Sequence, residues 1–189
     1  KVNIIKEGSK SKISNKLKIN KISINSKLIK RNDVFFAIKG ERVDGNKFVS
    51  EAFKKNSSLA IVNQINKNYP PSKQVKVKNT LSFLTQCSSI FRENINAKII
   101  SITGSCGKTT LKEMIGFILK TVSKTTCSPK SFNNKYGVPL SLFNLKHNDE
   151  YGVFEVGMDK KGEIDNLTKI IKPDLGIITN ISYAHSKNF

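Results

Sequence analysis

A chain of 189 residues has room for one large or two small domains and for a respectable buried core. With 33 Lys and Arg against 14 Asp and Glu it carries a formal charge of +19, and 38% of its residues are hydrophobic. No apolar run approaches a bilayer span, and Lys6, Lys10 and Lys12 break up any secretory signal, so neither a membrane-inserted nor an exported protein is expected.

The charge has two readings. A strongly basic protein can serve nucleic acid or an anionic membrane surface. Here the lysines are dispersed, with no dense basic block and few aromatics between them. That distribution points instead to solvated faces in a sequence biased toward Lys, Asn and Ile, and no nucleic-acid partner is expected. Three cysteines, Cys87, Cys106 and Cys127, are too widely spaced for a disulfide framework or a zinc site, and a reducing cytoplasm is the expected compartment. The first residue is Lys1 rather than Met, from which a fragment of a longer protein is expected.

In sequence order, Val2–Ile5 is expected as a short strand, and the alternation in Lys21–Asn25 predicts a half-buried one. Asp33–Lys39 is a stronger strand ended by Gly40. After the Asp44-Gly45 turn, Phe48, Val49, Ala52 and Phe53 mark a short helix, and Leu59–Val62 is the next strand. Residues 63–72, with Pro70-Pro71, read as a loop before a short strand at Val75–Val77. Leu81, Leu84, Cys87, Ser88 and Phe91 line one side of a helix that Asn79 or Thr80 caps. Asn94–Ala97 is the expected linker, separating a small mixed α/β domain at 1–96 from a second domain at 97–189.

The second domain opens on an apolar run, Ile99, Ile100 and Ile102, followed by Thr103-Gly104-Ser105-Cys106-Gly107-Lys108-Thr109-Thr110. Leu111, Met114, Ile115, Ile118, Leu119 and Val122 then recur at helical spacing and predict one apolar face. Strand, Gly-rich turn and helix opening on Lys-Thr form the geometry of a phosphate-binding loop, here in the shortened form G-x-x-G-K-T. Its glycines allow backbone N–H groups to turn inward around an anion, and the dipole end of the new helix points at the same place. Lys108 would add a charge for the β- and γ-phosphates, and Thr109 a hydroxyl for Mg²⁺.

Beyond the loop, Thr125–Cys127, Gly152–Val156 and Leu175–Thr179 are predicted strands. Between them come a helix started by Pro139 and an amphipathic helix carrying Ile164, Leu167, Ile170 and Ile171, ended by Pro173. Such alternation predicts a parallel sheet with helices on its faces, an α/β fold whose ligands collect at the carboxyl ends of the strands.

Glu155 and His185 fall at those ends. A carboxylate on a core strand needs a cation or donors, which nucleotide-bound Mg²⁺ would supply; an ion pair with a nearby lysine is the structural alternative. His185 standing alone is more often a loop residue than a ligand, and His147 reads as surface. Cys106 sits at a helix N-terminus that would favour a thiolate, but phosphoryl transfer needs none, and a small residue in a tight turn explains it. Ser131-Phe132-Asn133-Asn134-Lys135-Tyr136-Gly137-Val138-Pro139 reads either as a turn with a helix start or as a second anion-facing helix terminus whose Asn amides donate to a substrate.

Together these stretches resemble the Mur ligases, ATP-dependent amide-forming enzymes of peptidoglycan synthesis. The resemblance runs through the phosphate loop, Asn133-Asn134-x-x-Gly137-Val138-Pro139 and Glu155-Val156-Gly157-Met158. It continues through Gly162-Glu163-Ile164, Pro173-Asp174 and Thr179-Asn180-Ile181-x-x-x-His185. The paired asparagines and Asp33-Val-Phe-Phe-Ala-Ile-Lys-Gly40-Glu41-Arg42-Val43-Asp44-Gly45 favour the members that add D-alanyl-D-alanine to UDP-N-acetylmuramoyl-tripeptide.

The resemblance implies an N-terminal UDP-sugar domain followed by the front portion of a P-loop ATPase domain. It implies ATP and Mg²⁺ as cofactors and a monomer as the working unit. Catalysis would fall to Lys108, Glu155 and His185, with Thr109, Glu155 and His185 as metal ligands. Gly104, Ser105, Cys106, Gly107, Lys108, Thr109, Thr110 and Asn180 would hold the nucleotide. Ser26, Lys27, Gly40, Asp44, Gly45, Asn133 and Asn134 would contact the substrate. Where relatives often carry Asp-Ser-Arg near the uridine, this sequence has Asn25-Ser26-Lys27, and Lys cannot reproduce the planar fork of Arg. A sister ligase for another muramoyl precursor or a folate-like substrate shares most of these motifs, and a basic nucleic-acid-binding NTPase is the alternative of a different class.

Overall fold

Runs rich in Val, Ile and Phe become strands here wherever Gly, Asn or Pro stops them. A computed structural model describes residues 19–130 and 132–182, so the strand expected at Val2–Ile5, Ser131 and His185 lie outside the described residues. Contacts divide the protein into two units, Lys1–Cys87 and Ser88–Phe189.

In the first unit β1 (Ile22–Ser23), β2 (Val34–Phe36), β3 (Leu59–Val62) and β4 (Gln74–Lys76) form a four-stranded sheet in that order, every pair parallel. All residues of β2 and β3 are buried, as parallel strands covered on both faces require. Helix α1 (Val49–Lys54) supplies Val49 and Ala52 to a core with Ile29, Phe35, Ala37, Ala60 and Val62.

The strand expected over Asp33–Lys39 stops at Phe36. Its last residues turn back instead: the N–H of Ile38 donates to Phe36 O at 2.9 Å, and the N–H of Gly45 donates to Ile38 O at 2.9 Å. A Cβ at Gly45 would lie 2.6 Å from the backbone carbonyl carbon of Ala37 and from the backbone nitrogen of Ile38, atoms that cannot rotate aside. Gly45→Ala is therefore expected to destabilise the first unit by about 1–3 kcal/mol, the usual cost of overpacking, as a lower midpoint in urea unfolding.

Helix α2 (Thr80–Glu93) is capped by Asn79, whose Oδ1 accepts from the N–H of Ser82 at 2.9 Å. Thr80 instead donates its hydroxyl to Ala37 O at 3.0 Å. The segment expected as a linker is packed, not slack: Ile95 and Ala97 are buried in the core of the second unit.

That second unit holds β5 (Lys98–Thr103), β6 (Thr125–Cys127), β7 (Tyr151–Glu155) and β8 (Leu175–Ile178). They form a parallel sheet in the order β6-β7-β5-β8, so β5 and β7 are its centre. Helices α3 (Lys108–Val122), α4 (Gly137–Leu142) and α5 (Glu163–Ile171) accompany it. Val138 and Leu142 of α4 and Leu167 and Ile171 of α5 pack with Ile99, Phe154 and Val156. The last turn of α5 ends on Lys172 in the left-handed region (φ 49°), directly before Pro173.

The apolar face expected on α3 is only partly used. Met114, Ile118 and Val122 are exposed, at 58%, 61% and 77%, whereas Lys112 and Gly116 are the helix's buried residues. Gly116 is there because Cys127 Sγ packs where a side group would be. Apolar spacing on α3 thus marks a stripe rotated from the one that meets the sheet.

Candidate functional site

Strand order brings the site together before any side group is considered. In the β5–β7 ladder Ile102 pairs with Glu155, so the loop leaving β5 and the end of β7 lie side by side at the carboxyl edge of the sheet. Gly104 and Gly107 take φ of 130° and 77°, values that a Cβ disfavours, and so bend the backbone from strand to helix. Gly107 is the N-cap of α3 and brings no capping side group, which leaves the first-turn N–H groups of a 15-residue helix pointing at the loop. Lys108 curls over that loop, its Nζ donating to Gly104 O at 2.6 Å and Ser105 O at 3.3 Å.

Two of the loop's own amides are already engaged. The N–H of Ser105 donates to Asn180 O at 3.1 Å and that of Cys106 to Asn180 Oδ1 at 3.0 Å. Thr179 Oγ1 donates to Cys106 O at 2.6 Å, and Ser105 Oγ exchanges bonds with the backbone of Ser182. The segment after β8 therefore braces the loop from behind and takes two amides, those of Ser105 and Cys106, out of the expected inward ring. Asn180, expected at the nucleotide, holds the loop itself. Cys106 is exposed, with Sγ accepting from Asn180 Nδ2 at 2.9 Å.

Glu155 is 4% exposed. Its Oε2 accepts from Thr109 Oγ1 at 2.6 Å and its Oε1 from Asn133 Nδ2 at 2.8 Å. Among the described residues no cation pairs with this carboxylate, so a buried negative charge rests on two neutral donors. A hydroxyl and a carboxylate sharing one position at the end of a phosphate loop are hard oxygen ligands suited to Mg²⁺. That ion uses one or two protein oxygens and takes its remaining ligands from phosphates and water. Among the described residues there is no group of three or more His, Cys, Asp or Glu that would form a self-sufficient metal cage. Thr109 and Glu155 thus fit a nucleotide-borne Mg²⁺.

Beside Lys108 opens a cavity of about 600 Å³ reaching Asn133, Lys135, Tyr136, Gly157 and Lys161. Asn134 also borders it, its Oδ1 accepting from the N–H groups of Tyr136 and Gly137, both at 3.0 Å, as an Asx turn opening α4. Both asparagines border the cavity, Asn133 bonded to Glu155 and Asn134 to the backbone that opens α4.

The candidates of the first unit fall in two segments ahead of α1, Ser26–Leu28 and the return after β2. Ser26 is buried and donates to Glu51 Oε2 at 2.7 Å, while Lys27 beside it is exposed. Gly40, Asp44 and Gly45 form the return after β2, in which the N–H of Gly40 donates to Val43 O and Lys39 bridges Asp44. Bonds from the amide side group and N–H of Asn46 hold the Asp44 carboxyl below the usual carboxylate range.

Sequence patterning does not single out Lys112, Ser128 or Ser182, although all three hold the site in shape. The one signal for Lys112 is a charged residue one helical turn past Lys108, on the side of α3 that faces the sheet.

Two family models match. The "Mur ligase family, catalytic domain" covers residues 18–92 and the "Mur ligase middle domain" residues 102–189. Among curated relatives, the UDP-N-acetylmuramoyl-tripeptide–D-alanyl-D-alanine ligase of Rickettsia prowazekii is 37% identical over 94% of this chain and 39% of its own length. The ligase of the same name from Bacillus subtilis is 34% identical over 90% of this chain and 37% of its own. The crystal structure of MurF from Acinetobacter baumannii superposes with a TM-score of 0.83 at 37% identity, covering 90% of this chain and 38% of that one. MurF ligase from Thermotoga maritima in complex with ADP gives 0.79 at 31% identity, covering 91% and 40%. The sequence thus spans about two fifths of the length of the relatives it matches. Among the described residues no helix is long and apolar enough to cross a membrane. With the phosphate loop, the Asn133 turn and the Glu155 strand end in one site, and with both family models matching in order along it, the chain belongs to the Mur ligase family.

Proposed function

We propose that this chain is the front part of a ligase that joins D-alanyl-D-alanine to UDP-N-acetylmuramoyl-tripeptide at the expense of ATP. Residues 1–96 would take the UDP-sugar and residues 97–189 the front of the ATP site, in a cytoplasmic monomer. The observation that carries the reading is the meeting of Thr109 and Glu155 at the head of the phosphate loop. The names of the curated relatives supply the substrates.

The reaction would begin with the terminal carboxylate of the tripeptide attacking the γ-phosphorus of ATP, releasing ADP and leaving an acyl phosphate. The amine of D-alanyl-D-alanine would then attack the acyl carbon, expelling phosphate and forming the amide. Carboxylate and triphosphate repel each other, so the site's main task is cationic screening held in place beforehand. Lys108 would carry that charge on the loop, and the first-turn N–H groups of α3 would bind phosphate oxygens. Mg²⁺, when bound with the nucleotide, would spread the remaining negative charge, and Thr109 and Glu155 are the residues that would hold it, with His185 contributing to a second such ion. Asn133, bonded to the Glu155 carboxylate, would keep that group turned toward Thr109.

The test is phosphate release by a full-length protein that includes these 189 residues. Release is expected only with ATP, the UDP-muramoyl-tripeptide and D-alanyl-D-alanine all present, while the 189 residues alone should release none. Turnover with a different amine would assign a sister ligase. Hydrolysis stimulated by single-stranded nucleic acid and surviving moderate salt would overturn the ligase reading.

A further inference from the structure

Lys112 is a lysine with no exposed surface: its side group is 0% accessible between α3 and the sheet. Its Nζ donates to Ser128 O at 2.9 Å and pairs with Glu113 Oε1 at 3.1 Å, a carboxylate whose own side group is half exposed. Burying an ammonium carries a large desolvation cost, and an apolar residue of similar length would fill the same space without it. What the charge accomplishes is seen one bond further on.

Ser128 is buried at the exit of β6. While its carbonyl takes Lys112, its N–H donates to Val153 O at 2.9 Å and its Oγ accepts from the N–H of Glu155 at 3.1 Å. The backbone leaving Ser128 reaches Asn133, whose amide holds the Glu155 carboxylate and whose O accepts from the N–H of Gly157 at 2.6 Å. Glu155 is therefore gripped at its N–H and at Oε1 by that one segment, and at Oε2 by Thr109. Thr109 and Lys112 stand one turn apart on α3, so that helix delivers a donor to the carboxylate and, three residues later, ties down the root of the segment that orients it.

We propose that Lys112 is a positioning residue for the candidate metal site. Through Ser128 it locks the β6 exit to the phosphate-loop helix and so fixes the distance between Thr109 and Glu155 at which both oxygens can serve one cation. It touches neither nucleotide nor metal. The proposal rests on the metal–nucleotide reading above and adds a coupling between the loop helix and the Glu155 carboxylate.

The test is a Mg²⁺ titration of the binding of adenylyl imidodiphosphate, a non-hydrolysable ATP analogue, by calorimetry on the full-length protein and its Lys112→Met and Ser128→Ala variants. Residues that orient a metal ligand change metal affinity by about 10–100-fold when removed. Lys112→Met is expected to raise the half-saturating Mg²⁺ at least about ten-fold while binding without Mg²⁺ stays within about two-fold of the parent. Ser128→Ala, which keeps the carbonyl and loses the hydroxyl, is expected to shift in the same direction by less. An unchanged Mg²⁺ requirement in folded Lys112→Met overturns the proposal, as does an equal loss with and without Mg²⁺, which would mark a purely structural lysine. If Lys112→Met does not fold, Ser128→Ala decides alone, and an unchanged requirement there overturns it. A parent protein that binds the analogue with no dependence on Mg²⁺ overturns the metal–nucleotide reading and this proposal with it.

Discussion

Replacing Lys108 with alanine is expected to abolish ATP-dependent phosphate release, lowering turnover at least about a thousand-fold, or ~4 kcal/mol at the transition state. The size follows from what the loop has left to offer. Ser105 and Cys106 have committed their N–H groups to Asn180, so the loop would meet a triphosphate with fewer amides, the first turn of α3 and Lys108. A helix terminus contributes about half a unit charge, whereas the ammonium is a full one, placed over the loop by its bonds to Gly104 O and Ser105 O. Those bonds are local and replaceable by water, so the variant should keep its fold and its Tm within a few degrees, about what a surface change costs. Near-normal turnover in folded Lys108→Ala would refute the role assigned to the loop.

Glu155→Gln is expected to separate stability from function. In the parent, a carboxylate only 4% exposed is held by two neutral donors, with no pairing cation among the described residues. Glutamine keeps the shape and removes the charge; the Thr109 hydroxyl can reverse its bond to suit. Neutralising an unpaired buried charge should leave Tm equal to or above the parent's. Activity should move the other way, by about two to three orders of magnitude, because a neutral amide is a poor ligand for Mg²⁺ and leaves the triphosphate charge unscreened. Paired Tm and phosphate-release measurements check both signs. A variant that is less stable yet fully active would show Glu155 to be a structural residue.

The phosphate loop is legible in the sequence because its chemistry is local. Glycines at the two bends, a lysine and a threonine at the head of a helix and an apolar strand before them are all carried within one short stretch. Strands β5, β7 and β8 of the second unit are legible for the same reason, as largely apolar runs cut off by Gly or Asn. What cannot be read there is what tertiary packing decides. The face of α3 that meets the sheet follows from the small Gly116 and the buried Lys112, not from apolar spacing, so Met114, Ile118 and Val122 lie outward. The brace that Thr179 and Asn180 place behind the loop joins residues more than seventy positions apart, and no periodicity reports such a pairing. The division of labour between Asn133 and Asn134 depends on one peptide's orientation in a turn, which two identical neighbours in sequence conceal.

A crystal structure of the protein with Mg²⁺ and a non-hydrolysable ATP analogue tests whether Thr109 and Glu155 hold the metal beside the phosphate loop. Phosphate oxygens are expected on the N–H groups opening α3 and on Lys108 Nζ, with Thr109 Oγ1 and a Glu155 oxygen turned to the metal in place of the hydrogen bond now joining them. A nucleotide bound away from this loop, or a loop occupied while Thr109 still donates to Glu155, would contradict that expectation.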